Sequence, residues 1–271
     1  MGSLVTPVRC IAFSRDRAMQ LDAFLTSLRS RAPDAFEPVL VLYRATTPAF
    51  GQAYDVLRRE HPAVTWIEER SFRDDLLDAI VGGERFVVFH TDDDVFFAEV
   101  SPFEVRDDEA CFSLRLGLNT TYCYPLDVEE QLHDPLIEPD RVSWSWREQA
   151  PGAYSYPLAL NGHVFRADEA RGWLTGLEYG NPNELESAMQ ALLDDVRPRM
   201  ASFPTSRVVS IPANIVNKTF PNRHGALHSV AELNDRFLAG ERLDVDAMDF
   251  SRVDACHVEL PYAFTSLRST R

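Results

Sequence analysis

Residues 85–97 read RFVVFHTDDDVFF, so three consecutive aspartates, Asp92, Asp93 and Asp94, stand between two apolar runs. The run before them has the length and the aromatic and β-branched content of a buried strand. Adjacent carboxylates at a strand end repel one another, and a hard divalent cation such as Mg²⁺ or Mn²⁺ relieves that repulsion. A solvated acidic turn explains a bare triplet equally well, so the strand that delivers the triplet is what favours a metal site.

The sequence before the triplet alternates between strand-like and helix-like segments. Apolar runs of strand length lie at 8–13, 38–43, 64–67 and 85–89, with helical segments between them. Apolar residues at 21, 24, 25 and 28 share one helix face, and Thr47-Pro48 is an N-cap followed by a proline at the first helical position. Strands that are apolar on both faces are typical of parallel sheets covered by helices. The sequence therefore predicts a Rossmann-like α/β fold with a mostly parallel central sheet flanked by helices.

A second polar cluster, Ser14, Arg15 and Arg17, follows the first strand. In such sheets ligands bind at the carboxyl ends of the strands, so this cluster and the aspartates are expected at one edge. Arginine forms charge-assisted, often bidentate, hydrogen bonds with phosphate. The alternative is that both arginines are surface charges that pair with the acidic excess of the chain.

The length, net charge, apolar runs and cysteine pattern of the chain limit the class of protein to which it can belong. Its 271 residues fit one continuous domain, 1–271. A net charge of -15 argues against nucleic acid as a partner, because the phosphates of nucleic acid bind to basic surfaces. No apolar run reaches the roughly 18 residues of an integral membrane segment. No two of the four cysteines are spaced as a CxxC pair, and this pattern is typical of free thiols. Because free thiols persist in reducing compartments, we expect a cytoplasmic protein.

The sequence resembles glycosyltransferases with the A-type fold, which are nucleotide-diphospho-sugar transferases. The resemblance lies in the strand followed by Ser14–Arg17, in VLYRATTP after the second strand, and in a D-x-D motif within FVVFHTDDDVFF. It covers 7–100 well and 110–230 more loosely. It implies a nucleotide-sugar-binding half (7–100) and an acceptor-binding and catalytic half (101–271). It also implies a nucleoside-diphosphate sugar donor, a small-molecule or glycan acceptor, and bound Mn²⁺ or Mg²⁺.

The resemblance implies roles for the residues of the first half. Asp94 would ligate the metal, Asp92 would face the ribose or the metal, and Asp93 could share either task. The residues implied for nucleotide binding are Ser14, Arg15, Arg17, Asp92 and Asp93.

For the sugar and the acceptor, two segments of the second half are candidates. Asn161, Gly162 and His163 resemble the segment that passes beneath the donor sugar, where a glycine allows close backbone approach. Trp146 lies in the aromatic-rich stretch 144–157 and is predicted to form part of an acceptor wall. Large aromatic residues and histidines are more often satisfied core residues, which is the alternative for both segments.

For catalysis, the resemblance points to a helix that begins at Asn181-Pro182. Glu186 is the first candidate for the base that takes the proton of the acceptor hydroxyl, and Glu184 is the second. In a retaining enzyme these glutamates would instead position the donor, and acidic residues near a helix start often only complement its dipole. His224 stands where a second metal ligand is implied, which would favour manganese; the alternative is a surface histidine.

Three functions are compatible with these residues. The first is metal-dependent transfer of a sugar from a nucleoside-diphosphate sugar to an acceptor hydroxyl or a similar nucleophile. The second is a nucleotidyltransferase that makes nucleotide sugars, but its phosphate loop needs glycine, and 13–17 contains none. The third is a non-catalytic domain that binds sugar nucleotides without turnover.

Overall fold

The computed structural model describes residues 8–216, 225 and 227–266. The strands are β1 (Val8–Arg15), β2 (Phe36–Arg44), β3 (Thr65–Glu68), β4 (Phe86–Thr91), β5 (Asp94–Phe96), β6 (Glu109–Ser113), β7 (Tyr122–Cys123), β8 (Val128–Glu129), β9 (Leu136–Glu138), β10 (Arg141–Ser145), β11 (His163–Arg166), β12 (Arg199–Ser202), β13 (Val208–Ser210), β14 (Glu241–Leu243) and β15 (Phe264–Ser266). The α-helices are α1 (Ala18–Arg31), α2 (Pro48–Glu60), α3 (Phe72–Ala79), α4 (Ala167–Gly176), α5 (Pro182–Met189) and α6 (Val230–Leu238). None of the helices in these ranges is both long and apolar enough to cross a bilayer.

A nine-stranded sheet carries strands from both halves of the chain, in the order β3-β2-β1-β4-β11-β6-β12-β10-β9. The first four strands in this order are mutually parallel. β11 is antiparallel to β4 and to β6, β12 is parallel to β6, and β10 is antiparallel to β12 and to β9. Only β11 and β10 therefore run against the common direction in this sheet. The predicted α/β fold with a mostly parallel sheet is confirmed.

The two faces of the sheet carry separate apolar layers. Alternate residues of β1 point to opposite faces, as strand geometry requires. Cys10 and Ala12 belong to the cluster that includes the buried residues of α1, α2 and α6. Ile11 and Phe13 belong to the cluster that includes those of α3, α4 and α5. Helices thus cover both faces, which explains why the central strands are apolar throughout.

Helix α1 follows β1 directly and buries the predicted face. Leu21, Phe24, Leu25 and Leu28 are each at most 5% exposed. Burial of one such side chain contributes about 1.5–3 kcal/mol, so this face is a main anchor of the helix on the sheet. At the start of α2, the Thr47 hydroxyl accepts a hydrogen bond from the Phe50 amide, which confirms the predicted cap.

The turn between β1 and α1 contains a non-glycine residue in the left-handed region. Asp16 has φ of 59°, a conformation that only a few per cent of non-glycine residues adopt. Its carboxylate accepts hydrogen bonds from the Thr46 amide and the Thr46 hydroxyl, both at 2.7 Å. These bonds hold the turn without glycine and fix the direction in which Arg15 and Arg17 leave it.

The aspartate triplet is divided between a turn and a strand. Asp92 and Asp93 form the turn after β4, whereas Asp94 is the first residue of β5. β5 pairs with β13 in a separate two-stranded sheet, with Asp94 opposite Ser210. Both β5 and β13 therefore lie outside the main sheet.

Candidate functional site

A cavity of about 1220 Å³ lies at the carboxyl ends of β1, β2 and β4. Its wall is completed by segments from the second half of the chain. The lining residues of these segments fall within the ranges 115–116, 122–126, 151–163, 180–186, 212–216 and 256–257, and not every residue of a range lines the cavity. The cavity therefore lies where ligands bind in open α/β sheets.

Hydrogen bonds to Asp92 link the turn after β4 to the end of β1 and the loop that follows it. Its Oδ2 accepts hydrogen bonds from the Ser14 hydroxyl at 2.9 Å and the Arg15 amide at 3.2 Å. Its Oδ1 accepts one from Arg17 Nη1 at 3.0 Å. Burial raises the pKa of Asp92 to about 6, although the charge of Arg17 opposes this shift. Asp92 lines the cavity while it is 3% exposed.

Asp93 is the more accessible of the two acids at the wall, with a side chain that is 16% exposed. Its Oδ1 accepts a hydrogen bond from the Thr91 hydroxyl at 2.8 Å, and its Oδ2 accepts one from Arg17 Nη1 at 3.3 Å. Arg17 thus lies between two carboxylates and partly neutralises them. Two acids at one wall remain net negative in its presence, which favours a further cation.

Asp94 lies apart from these two acids and is not among the residues that line the cavity. It is 1% exposed, and its oxygens contact His90 Nδ1 at 2.8 Å and the Ser210 hydroxyl at 2.5 Å. Burial alone would raise its pKa, but the hydrogen bond from His90 and the charges of His90 and Arg115 lower it instead. Because Asp94 begins β5, its side chain packs against β13, and this geometry does not favour the metal role predicted for it.

The two arginines of the β1 loop have different surroundings. Arg17 is 9% exposed, and its guanidinium is held by Asp92, Asp93 and the side-chain and main-chain oxygens of Asn214. Arg15 is exposed at the cavity wall. Arg15 is therefore the arginine that a phosphate can contact directly, whereas Arg17 holds the carboxylates of Asp92 and Asp93 in position.

The side chains at the cavity wall include few groups that could ligate Mn²⁺ or Mg²⁺. No group of three or more His, Cys, Asp or Glu that could hold a metal is found among residues 8–216, 225 and 227–266. His224 lies outside the described residues. Asp92 and Asp93 supply hard carboxylate oxygens at the wall, and sites with one or two carboxylates complete their shell with water and substrate phosphate. The residues present therefore fit a metal that a diphosphate helps to bind.

Glu186 carries its carboxylate to the cavity wall from α5. The helix starts as predicted, since the Asn181 side chain accepts hydrogen bonds from the Asn183 and Glu184 amides. Glu186 Oε2 accepts a hydrogen bond from the Leu160 amide at 2.8 Å, and the Tyr156 hydroxyl also bonds to this carboxylate. Burial raises the pKa of Glu186, although these hydrogen bonds and the charge of Arg115 oppose the shift.

Glu184 also lines the cavity, but its carboxylate serves the local backbone. Its Oε2 accepts a hydrogen bond from the Gly180 amide at 2.8 Å, and the residue is exposed. The Glu186 carboxylate, by contrast, is held at the cavity wall by the Leu160 amide and the Tyr156 hydroxyl. Glu186 is therefore the better placed of the two candidate bases.

The segment Asn161–His163 crosses the base of the cavity. Asn161 and His163 line it, whereas Gly162 does not. Asn161 Nδ2 donates to the Thr91 hydroxyl at 2.7 Å, and the Asn161 main-chain carbonyl accepts a hydrogen bond from Arg115 Nη1 at 3.4 Å. Gly162 has φ of 64°, and its amide and carbonyl bond to Phe89 and Leu114, so it bridges the ends of neighbouring strands. The close approach of Gly162 is thus to the protein backbone, which corrects the predicted sugar contact.

His163 is 2% exposed, and its Nδ1 lies 3.1 Å from the Pro157 carbonyl. Burial, with a smaller effect of the Arg115 charge, lowers the pKa of His163 to about 3, so the ring is neutral near pH 7. A neutral donor pinned to a carbonyl fits an orienting role at the wall better than proton transfer.

Trp146 is a core residue, which corrects its predicted place in an acceptor wall. It is 6% exposed, is not among the cavity-lining residues, and donates from Nε1 to the Arg197 carbonyl at 2.6 Å. The aromatic residue of this stretch that does line the cavity and reaches the candidate base is Tyr156. The sequence could not separate them, because both lie in one aromatic-rich stretch.

Replacement of Trp146 by alanine is expected to lower the free energy of unfolding by about 3–5 kcal/mol, since it leaves a large cavity and an unpaired carbonyl. Urea denaturation measures this loss. Nucleotide affinity of the folded fraction should be unchanged. Weakened acceptor binding at unaltered stability would instead return Trp146 to the acceptor site.

Sequence reasoning missed several residues of the wall. Arg115 and His257 face each other with Arg115 Nη2 at 3.2 Å from His257 Nδ1, although 142 positions separate them in the chain. Asn214, which holds Arg17, comes from a third segment. The one available signal was the position of Arg115 just beyond an apolar strand, at the same edge as the aspartates.

Part of this chain is similar to a curated glycosyltransferase. No protein-family model matches the chain. The bifunctional glycosyltransferase pgtA of Dictyostelium discoideum is 24% identical over 198 residues, which are 63% of this chain and 25% of that protein. The chain therefore spans about a quarter of the length of this relative. This match confirms the resemblance to glycosyltransferases that the sequence showed, but not the D-x-D motif.

Solved structures of S. aureus TarS are also similar. One covers 75% of this chain and 36% of its own, with a TM-score of 0.46 and 12% identity. A second, TarS 1–349, covers 75% of this chain and 60% of its own, with a TM-score of 0.42 and 11% identity. With both TM-scores below 0.5, this likeness supports no conclusion about the present chain.

Proposed function

We propose that this chain is a glycosyltransferase that moves a sugar from a nucleoside-diphosphate sugar to an acceptor hydroxyl, with Mn²⁺ or Mg²⁺ bound. The observation that carries the proposal is the pair of acidic sites in one cavity. Asp92 and Asp93 lie at the end of β4, and the desolvated carboxylate of Glu186 lies in the wall contributed by the second half. The similarity to a curated glycosyltransferase supports the same reaction class.

The diphosphate end of the donor is assigned to the edge formed by β1 and β4. Asp92 and Asp93 would hold the metal, which would supply positive charge to the departing diphosphate. The exposed guanidinium of Arg15 lies at the same wall and would bind a phosphate oxygen. Ser14 and Arg17 hold the carboxylates in place, which preorganises the site before the donor arrives.

The acceptor end is assigned to Glu186. A carboxylate whose pKa is raised binds a proton more strongly than an ordinary carboxylate, which suits a general base. Glu186 would accept the proton of the attacking hydroxyl, while the hydrogen bonds from Leu160 and Tyr156 fix the carboxylate. Asn161 and His163 offer polar groups beneath the sugar between the two ends.

Donor binding is tested by thermal-shift titration with a panel of nucleoside diphosphates, with and without Mn²⁺. A ligand that binds only the native state raises its stability by mass action. We expect one base to raise the melting temperature more in Mn²⁺ than in a chelator. An equal rise in melting temperature in Mn²⁺ and in the chelator would show that the metal does not take part in donor binding. No rise with any nucleoside diphosphate would contradict the proposed function.

The acid limb of the pH–rate profile is expected to report Glu186. The base acts in its ionised form, and its pKa lies above the ordinary 4.5. The rate should therefore fall about tenfold per pH unit below a midpoint higher than 4.5, and be constant above it. Initial rates between pH 4.5 and 8 measure this midpoint. A limb that persists unchanged in Glu186→Gln would show that another group titrates.

A further inference from the structure

One buried arginine in the cavity wall has no carboxylate partner. Arg115 is 6% exposed and lines the cavity. Within the ranges that the structure describes, every other arginine buried to this degree has a carboxylate oxygen within 4.0 Å. These are Arg9, Arg17, Arg141, Arg166 and Arg242. Arg115 alone among them lacks an ion pair.

The hydrogen bonds of Arg115 are long, and they leave one donor unused. Nη1 donates to the Asn161 carbonyl at 3.4 Å, and Nη2 donates to the Cys256 carbonyl at 3.4 Å and to His257 at 3.2 Å. Nε has no hydrogen-bond partner among the described residues, although it is buried. The unused Nε–H and the weakly held Nη2 together form one side of the guanidinium fork.

The neighbours of Arg115 do not neutralise it. Burial, with a smaller effect of the Arg115 charge, lowers the pKa of His257 to about 3, so this ring is neutral near pH 7. Asp94 and Glu186 act on Arg115 only beyond ion-pair distance. A desolvated charge without a paired partner is costly, and its retention in a cavity wall is explained by a ligand that completes it.

We propose that Arg115 is an oxyanion subsite, which binds a carboxylate or phosphate group carried by the transferred sugar or by the acceptor. The inference rests on the proposed function in assigning the diphosphate itself to Asp92, Asp93 and Arg15. The planar fork of arginine matches the two oxygens of a carboxylate or phosphate. A substrate oxyanion would supply the partner that the other buried arginines find within the protein.

Binding of inorganic phosphate to the whole chain tests the subsite without any need for turnover. We expect phosphate to stabilise the wild type in thermal-shift titrations, and Arg115→Gln to weaken its affinity about 10- to 100-fold. Arg44→Gln is the matched control, because Arg44 also lines the cavity but is paired with Glu69. Its phosphate affinity should stay within about twofold of the wild type. Equal phosphate affinity in wild type and Arg115→Gln overturns the proposal.

Two further measurements guard against a variant that fails to fold. Arg115→Lys keeps the charge but loses the fork, and we expect intermediate affinity. Wild-type crystals soaked in selenate should show an anomalous selenium peak beside the Arg115 guanidinium. An anomalous map without this peak contradicts the subsite, whatever the variants do.

The source of the oxyanion is distinguished by adding the nucleoside diphosphate found in the thermal-shift panel, with Mn²⁺. If phosphate still binds through Arg115, the subsite is separate from the diphosphate, as proposed. If the two compete, Arg115 binds the diphosphate itself and the proposal is wrong. Two comparisons then identify which substrate carries the oxyanion. If the donor sugar carries it, wild type should prefer a nucleotide-linked hexuronate to a nucleotide-linked hexose as donor. If the acceptor carries it, wild type should prefer hexose 6-phosphate to hexose as acceptor. Phosphate binding at Arg115 without nucleotide binding would refute the proposed function and leave the subsite intact.

Discussion

Replacement of Glu186 by glutamine is expected to lower the rate of sugar transfer by about 10²- to 10⁴-fold, the range in which a positioned general base contributes. Glutamine keeps the shape and can still accept the hydrogen bond from the Leu160 amide, so the wall should remain in place. Donor affinity should be little changed, because this carboxylate acts on the acceptor. Single-turnover rates and nucleotide titrations measure the two quantities separately.

Glu184→Gln is the matched control for this experiment. Glu184 lies on the same helix and the same wall, but its carboxylate bonds only to the Gly180 amide among the described contacts. An amide oxygen can replace that acceptor, so transfer should change by less than about threefold. A larger loss in Glu184→Gln than in Glu186→Gln would exchange the roles of the two glutamates.

Replacement of Asp93 by asparagine is expected to weaken the metal-dependent binding of the donor by about 100-fold. Asparagine removes one negative charge from the cavity wall but can still accept the hydrogen bond from the Thr91 hydroxyl. Loss of a carboxylate ligand reduces affinity for a hard cation, so raised Mn²⁺ should partly restore binding. Calorimetric titration of the nucleoside diphosphate at several Mn²⁺ concentrations measures both effects.

Glu69→Gln is the control for Asp93, because Glu69 is another acid at the cavity wall, and it pairs with Arg44. Its removal lowers the negative charge of the cavity equally but should leave the Mn²⁺ dependence unchanged. Asp94→Asn supplies the contrast with the metal role first predicted from the sequence. Because Asp94 is held by His90 and Ser210, we expect lost stability with retained Mn²⁺ dependence.

The sequence carried enough information for the sheet and for one edge of the site. Strands that are buried on both faces leave long apolar runs, and these runs located β1 to β4 and the polar residues at their ends. Ser14, Arg17 and Asp92 were therefore expected together, and hydrogen bonds of 2.9 and 3.0 Å join them. Proximity followed from the parallel direction of the two strands.

Other parts of the site depend on contacts between distant segments. Asp94 turns away from Asp92 and Asp93 because it begins β5 and pairs with β13, and no local pattern in the triplet reveals that pairing. Trp146 and Tyr156 share one aromatic-rich stretch, yet only Tyr156 reaches the cavity. Arg115 meets His257 across 142 positions of sequence, so only the folded chain brings them together.

The central claim is transfer of a sugar from a nucleoside-diphosphate donor. It is tested most directly by incubating the chain with a panel of nucleoside-diphosphate sugars and Mn²⁺, with water as the acceptor that Glu186 deprotonates, while measuring release of the nucleoside diphosphate and the free sugar. We predict release from one donor class that stops in a chelator and falls by about 10²- to 10⁴-fold in Glu186→Gln. No release from any donor, or release that is equal in wild type and Glu186→Gln, would contradict the account.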